Sequence, residues 1–178
     1  QRSIDESPSL LRDRMDFIKQ IVYPVETLPL TTILAQAGAP LVGILVYLLL
    51  AAVNGTLGWS VLLLPVPLAL LIIFLLGLSW TMMIAGVVIK DLREVVSVTM
   101  GLLLYLSPVL IAEDMVPPHI WTALLLNPLS HVIIVFRDAF LGPFHPASWA
   151  VLTMMAGLSF ATGAWVVDHM KQQINEYL

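Results

Sequence analysis

Six side chains able to move protons or hold a metal ion, and one fixed cation, fall within one stretch of the chain: Glu113, Asp114, His119, His131, Asp138 and His145, with Arg137. Carboxylates and imidazoles of this kind serve as general acids and bases, or as ligands for a divalent metal. Their spacing argues against a preformed site, because no two stand at the interval that places a ligand pair on one helix face. Arg137-Asp138 reads as a local cap or ion pair at an interface, and no metal site is expected. Other chemistries are excluded outright. The chain has no cysteine, so it has no disulfide, thiolate nucleophile or Cys-based metal site. Its lysines follow Ile18, Ile89 and Met170, never a glycine, so the nucleotide-binding loop G-x-x-x-x-G-K-[ST] is absent. Neither H-E-x-x-H nor G-x-S-x-G occurs.

The elements that must position these groups are made for lipid. Residues 28–53, 61–89, 95–112 and 147–167 form apolar runs nearly free of charge, and a helix needs roughly 20 such residues to cross a bilayer core. In lipid every backbone polar group must be satisfied within its own segment, which makes these runs helices. The composition agrees: 59% of residues are hydrophobic, 11% are charged and the mean hydropathy is +0.94. A soluble domain carries about 25% charged residues. The reading is an all-α integral membrane protein with four spans, residues 1–27 forming a cytoplasmic segment and 28–178 a membrane domain.

Orientation follows from the cations. Arg2, Arg12, Arg14, Lys19, Lys90, Arg93 and Lys171 all fall on one side if the spans alternate, and only Arg137 falls elsewhere. The positive-inside rule makes that side cytoplasmic, together with both terminal segments. The parity requires that residues 116–144 do not cross. That stretch is broken by Pro117, Pro118, Asn127, Pro128, Gly142 and Pro143, leaving pieces at 120–126 and 129–141 that are too short to span. It reads as a re-entrant helical pair on the outer face. At the other end, Leu11, Met15, Ile18 and Val22 make an apolar stripe on a helix over residues 8–22, opened by Ser7 and Pro8 and broken at Tyr23-Pro24.

Polar residues inside the runs are few. Gln36 and Ser79 read as helix–helix hydrogen bonds; Thr81 and Thr99 are further polar positions. Trp80, Tyr105 and Ser107 are pathway candidates, the two aromatics as faces on which sugar rings could stack. Small residues at spacing four, Ala35, Ala39 and Gly43, then Gly77, Thr81 and Ala85, then Gly157 and Ala161, suit close helix contacts. Asn54-Gly55-Thr56 is both a glycosylation acceptor pattern and a turn.

Several landmarks taken in order resemble a known family. Ser7-Pro8-Ser9-Leu10-Leu11-Arg12 is similar to the (N/S)-P-x-L-(I/V/L)-(R/K) stretch of the permease subunits of ABC-2 type exporters, in the branch that moves polysaccharides and polyol phosphates. Val22-Tyr23-Pro24-Val25-Glu26-Thr27-Leu28-Pro29-Leu30 resembles that family's Y-F-P-x-E-x-L-P-L segment. Lys90-Asp91-Leu92-Arg93 is similar to its R-D-(L/V/I)-R loop, and Ser107-Pro108-Val109 to its S-P-(V/I). Met115-Val116-Pro117, Leu126-Asn127-Pro128-Leu129 and Phe136-Arg137 complete the outer part. Val25 and Lys90 depart from the commoner basic residue and arginine.

The resemblance implies an export permease of six membrane helices, of which this chain holds four, starting before the third. It implies a homodimer that forms a channel for a lipid-linked or long glycan, such as O-antigen, capsule or teichoic acid, moving outward across the bacterial inner membrane. Two copies of a separate subunit would bind ATP and Mg, this chain holding no cofactor, and no nucleic acid is involved. That subunit would dock on Pro8, Leu10, Leu11, Arg12 and Met15. Tyr23, Pro24, Glu26, Lys90, Asp91 and Arg93 would form the cytoplasmic gate and loop. Asn127, Pro128, Arg137 and Asp138 would form the outer gate. The alternative from a different class is a membrane-embedded enzyme of lipid or glycan metabolism using the outer His, Asp and Glu residues.

Overall fold

The computed structural model describes residues 27–109, 111 and 113–176, together with Ile4 and Ser7, with side chains as far as Met170 apart from Asp114. The expected docking residues Pro8, Leu10, Leu11, Arg12 and Met15, and the gate residues Tyr23, Pro24 and Glu26, lie outside the described residues.

Every described element is helical. In chain order they are α1 (Thr27–Gln36), α2 (Gly38–Val53), a 3-10 segment (Trp59–Leu63), α3 (Pro65–Val88), α4 (Leu92–Tyr105), a 3-10 turn (Glu113–Met115), α5 (Pro118–Leu124), α6 (Pro128–Leu141) and α7 (Pro146–Glu176). Two stretches, Trp59–Val88 and Pro146–Met170, are each long and apolar enough to cross a membrane. The pairs α1–α2 and α5–α6 also qualify if each pair is taken as one unit.

The departures from the sequence reading have local causes. Residues 28–53 form two helices meeting at a 41° bend rather than one straight span. Pro40 stands where an amide would bond the Gln36 carbonyl, and without that donor the ladder opens between Gln36 and Gly38. The run 95–112 is helical only to Tyr105, because Pro108 disfavours helical backbone at Ser107. At 14 residues α4 is about 21 Å long, short of the hydrocarbon thickness by itself. The last helix runs well past residue 167, to Glu176.

The core is the seam between α3 and α7, the most extensive helix pair. Met83, Leu152 and Ala156 are fully buried in it or beside it. Gly77 of α3 presses on the backbone of Ser159 and Phe160, and Gly163 presses on Gly77, so a Cβ at either position would collide with main chain. The Ser159 hydroxyl donates to the Phe74 carbonyl at 3.0 Å, and Trp80 packs on Phe160 with ring centroids 5.4 Å apart. Lipid gives helices no hydrophobic reason to associate, so backbone approach and hydrogen bonds of this kind hold them together. The small-residue face of α7 is therefore Ala156, Ser159 and Gly163. Gly157 and Ala161, the face expected from spacing, are exposed, and Gly157 has open space around it. Ser79 also differs from expectation. It is 1% exposed, yet its hydroxyl has no hydrogen-bond partner, the cross-helix bond being made by Ser159.

Asn54-Gly55-Thr56 is a helix stop. Gly55 takes φ +67°, its amide donates to Ala52 and the Thr56 amide donates to Ala51, which satisfies the last carbonyls of α2.

Candidate functional site

Two helices that fold back on themselves need a corner, and Leu126-Asn127-Pro128-Leu129 makes one. α5 and α6 meet at 105°. Asn127 caps α6, its Oδ1 accepting from the Leu129 amide at 2.9 Å, and Pro128 occupies the first helical position, where a missing amide costs nothing. The first turn of α6 then covers the open carbonyls at the end of α5. Ser130 Oγ donates to Leu124 at 2.6 Å, and His131 Nε2 donates to Leu125 at 2.9 Å. With its hydrogen on Nε2, the neutral His131 ring accepts at Nδ1 from Ser148 Oγ of α7, 3.2 Å away. Asn127 Nδ2 donates to the Leu103 carbonyl of α4 at 2.6 Å, tying the corner to the preceding helix.

The other end of α6 is fixed as firmly. Arg137 donates to the carbonyls of Pro108 at 2.8 Å and Ile111 at 3.0 Å, so it caps the segment leaving α4. Asp138 is 2% exposed, and its carboxylate is surrounded by donors: the His145 amide at 2.8 Å, Trp149 Nε1 at 3.0 Å and His145 Nδ1 at 2.6 Å. A buried carboxylate is stable in such a ring of N–H groups. Of the two roles expected from their adjacency, a local cap or an ion pair, Arg137 and Asp138 do not pair with each other; each caps backbone groups of a different loop. Gly142 ends α6 in the left-handed conformation at φ +94° and donates to the Asp138 carbonyl. Tyr47 of α2 reaches the Phe140 carbonyl at 3.0 Å and sets its ring edge-on against Phe140.

The two ends of the pair lie close together. Glu113 precedes α5 and His145 follows α6, yet their side chains approach to 3.6 Å. The chain enters and leaves the pair at one place. His131 and Asp138, two turns apart on α6, touch the neighbouring residues Ser148 and Trp149 of α7. Ser60 lies beside Gly142, which puts the loop after α2 at this same end of the bundle.

Of the seven candidate chemical residues, Glu113, Asp138 and His145 are brought together. His131 is engaged elsewhere, His119 is exposed on α5, and Arg137 faces carbonyls. Among the described residues no group of three His, Asp or Glu side chains is arranged to hold a metal ion. The pathway candidates are dispersed in character. Trp80 packs against α7, Ser107 is buried with its hydroxyl on the Leu104 carbonyl at 2.6 Å, and Tyr105 is 91% exposed. Lys90 and Asp91 form an exposed turn between α3 and α4, and Arg93 is exposed in the first turn of α4. Trp149, Ser148 and Tyr47 were not singled out in the sequence. Trp149 and Ser148 lie in the first turn of α7, where side chains meet the end of the preceding helix, which is the signal that could have found them.

A helical bundle with apolar spans and a folded pair at one end defines a multi-pass membrane protein. The chain matches the ABC-2 type transporter family over residues 3–141 and belongs to it. It is similar to two proteins of Klebsiella pneumoniae named O-antigen export system permease protein RfbA, with 26% and 24% identity over 167 residues. The aligned region covers 90% of this chain and 63% of each relative, so the chain spans less than two thirds of their length.

Proposed function

We propose that this chain is the membrane-spanning part of an ATP-driven export permease that moves a lipid-linked or long polysaccharide outward across the bacterial inner membrane. One observation carries the reading. Residues 27–53, Trp59–Val88 and 146–167 hold no Asp, Glu, Lys or Arg, in a chain aligned over 90% of its length with O-antigen export permeases. Spans without ionisable groups lack the buried charges on which a proton- or ion-coupled carrier depends. A pathway for a neutral, hydroxyl-rich chain needs weak polar groups and aromatic faces, and Trp80, Tyr105 and Ser107 are the residues assigned to it. A second copy completes the channel, and a separate subunit, also in two copies, supplies ATP hydrolysis with Mg. That subunit docks on Pro8, Leu10, Leu11, Arg12 and Met15, with Tyr23, Pro24, Glu26, Lys90, Asp91 and Arg93 forming the inner gate. The α5–α6 pair, held by Asn127, Pro128, Arg137 and Asp138, forms the outer gate. Both terminal segments face the cytoplasm.

The test is co-purification of the complete permease with its ATP-binding subunit in lipid. A stable complex whose ATPase rate depends on both components supports the reading. Failure of the folded permease to form a complex overturns it and turns attention to the Glu113, Asp138 and His145 cluster as an enzyme site.

A further inference from the structure

Phe144, in the loop between α6 and α7, is 60% exposed. Its ring leans on Trp149, with centroids 5.6 Å apart and planes 34° apart. That indole is fixed, because Nε1 donates to the buried Asp138 carboxylate at 3.0 Å. The same carboxylate holds His145 by its amide at 2.8 Å and by Nδ1 at 2.6 Å. One buried side chain therefore orients two rings and fixes the backbone from which the third projects. Two polar atoms beside these rings are left unused. With Nδ1 donating to Asp138, His145 presents Nε2, and its side chain is 38% exposed. Glu113, 58% exposed, brings Oε2 to 3.6 Å from Nε2, which is too far for a hydrogen bond. Among the described residues neither atom has a hydrogen-bond partner.

We propose that Phe144, Trp149, His145 and Glu113 form a sugar-binding subsite, held in shape by Asp138, whose ligand is a neutral pyranose unit with two adjacent free hydroxyls. A pyranose ring offers a face of C–H groups and a rim of hydroxyls. The face packs on the exposed aromatic surface of Phe144 and Trp149. The rim meets Nε2 and the Glu113 carboxylate, two neighbouring atoms suited to hydroxyls on adjacent ring carbons. A hydroxyl both donates and accepts, so it serves Nε2 in either protonation state and donates to the carboxylate. Glu113 also sets the charge preference, since a sugar acid or phosphate would bring like charge against it. Aromatic residues at a membrane boundary anchor in headgroups without such neighbours; the unused polar pair and the buried carboxylate beneath it set this cluster apart. The subsite deepens the export reading and rests on it. With the orientation proposed above it faces outward, where a glycan leaving the channel would pass, and weak open contacts let such a chain move on.

The test is saturation-transfer NMR on the complete permease in lipid nanodiscs, with millimolar maltotriose as the neutral probe and trigalacturonic acid as the acidic one. Transfer to the ring protons of maltotriose, and little to trigalacturonate, is expected. Phe144→Ala and Glu113→Ala, both at exposed positions, are each expected to lose most of the maltotriose signal. Glu113→Gln is expected to keep it and to gain transfer to trigalacturonate, a change of preference that a merely structural role would not produce. No transfer to maltotriose, equal transfer to both probes in the wild type, or a signal untouched by both alanine variants overturns the subsite. Assembly with the ATP-binding subunit is followed in the same preparations. Loss of sugar binding with that complex intact strikes the subsite alone, and failure of the complex with sugar binding intact strikes the export reading.

Discussion

Asn127 does two jobs with one side chain, and they can be separated. Its Oδ1 caps α6 while its Nδ2 holds the Leu103 carbonyl of α4. Asn127→Asp keeps the cap and places a carboxylate oxygen against that carbonyl, whereas Asn127→Ala loses both contacts. A cap is worth about 1 kcal/mol and a hydrogen bond with its buried partner left unmade about 1–3 kcal/mol. Both variants are expected to melt lower than the parent in detergent, and Asn127→Asp is expected to retain the helicity of α6. A wild-type melting curve for Asn127→Asp would show that the α4 tie contributes nothing. Ser79 carries the opposite expectation. Its hydroxyl is buried with no partner, so Ser79→Ala removes an unpaired group and leaves the α3–α7 shape nearly intact. A melting temperature equal to or above the parent's, corresponding to a gain of up to about 1 kcal/mol, is expected. A clear loss would mean that the hydroxyl is engaged. The corner was legible in the sequence because Asn-Pro states its own geometry. The roles of Arg137 and Asp138 were not, since adjacency on a helix says nothing about which loop each side chain meets.

Among the elements, α3 and α7 decide whether the bundle holds. Small residues at spacing four mark a face that can be approached closely, but several faces of these helices carry them. Gly157–Ala161 fits the motif and is open; Ser159–Gly163 makes the contact. Periodicity identifies helices and cannot say which stripe meets which partner, because in lipid an apolar face is as content against an acyl chain as against another helix. The same limit explains the lengths. Pro40 and Pro108 divide or end apolar runs that hydropathy treats as continuous, and only the backbone rules for proline reveal the break. The expected contrast is direct. Gly77→Ala forces a methyl into the Ser159 backbone and costs about 1–3 kcal/mol, read as a lower melting temperature. Gly157→Ala, in the interior of α7 with open space around it, leaves the melting temperature equal to or above the parent's. Equal effects of the two substitutions would place the seam elsewhere on α7.

At the scale of the whole molecule, three loops share an end. The Asn54–Ser60 region reaches Gly142 through Ser60, and His145 reaches Glu113, so the connection after α2, the turn before α5 and the loop after α6 are neighbours. Charge supplies the second argument. Lys90, in the exposed turn between α3 and α4, and Arg93, in the first turn of α4, lie one crossing of Trp59–Val88 away from Ser60. A 30-residue apolar stretch is long enough to separate two aqueous sides, and the positive-inside rule assigns the side with Lys90 and Arg93 to the cytoplasm. The three clustered loops must then face outward together, or the positive-inside assignment fails for this chain. Single cysteines introduced into the cysteine-free sequence decide between these. Gly55→Cys and Phe144→Cys are expected to react with a membrane-impermeant maleimide in right-side-out vesicles, and Asp91→Cys only after the membrane is opened. Labelling of Gly55→Cys without Phe144→Cys would mean that the folded pair crosses the bilayer. The close approach of Glu113 to His145 would then have to form across a different arrangement of α5 and α6 from the one described. Labelling of Asp91→Cys from outside would invert the molecule and move the proposed gate at Asn127, Pro128, Arg137 and Asp138 to the cytoplasmic face.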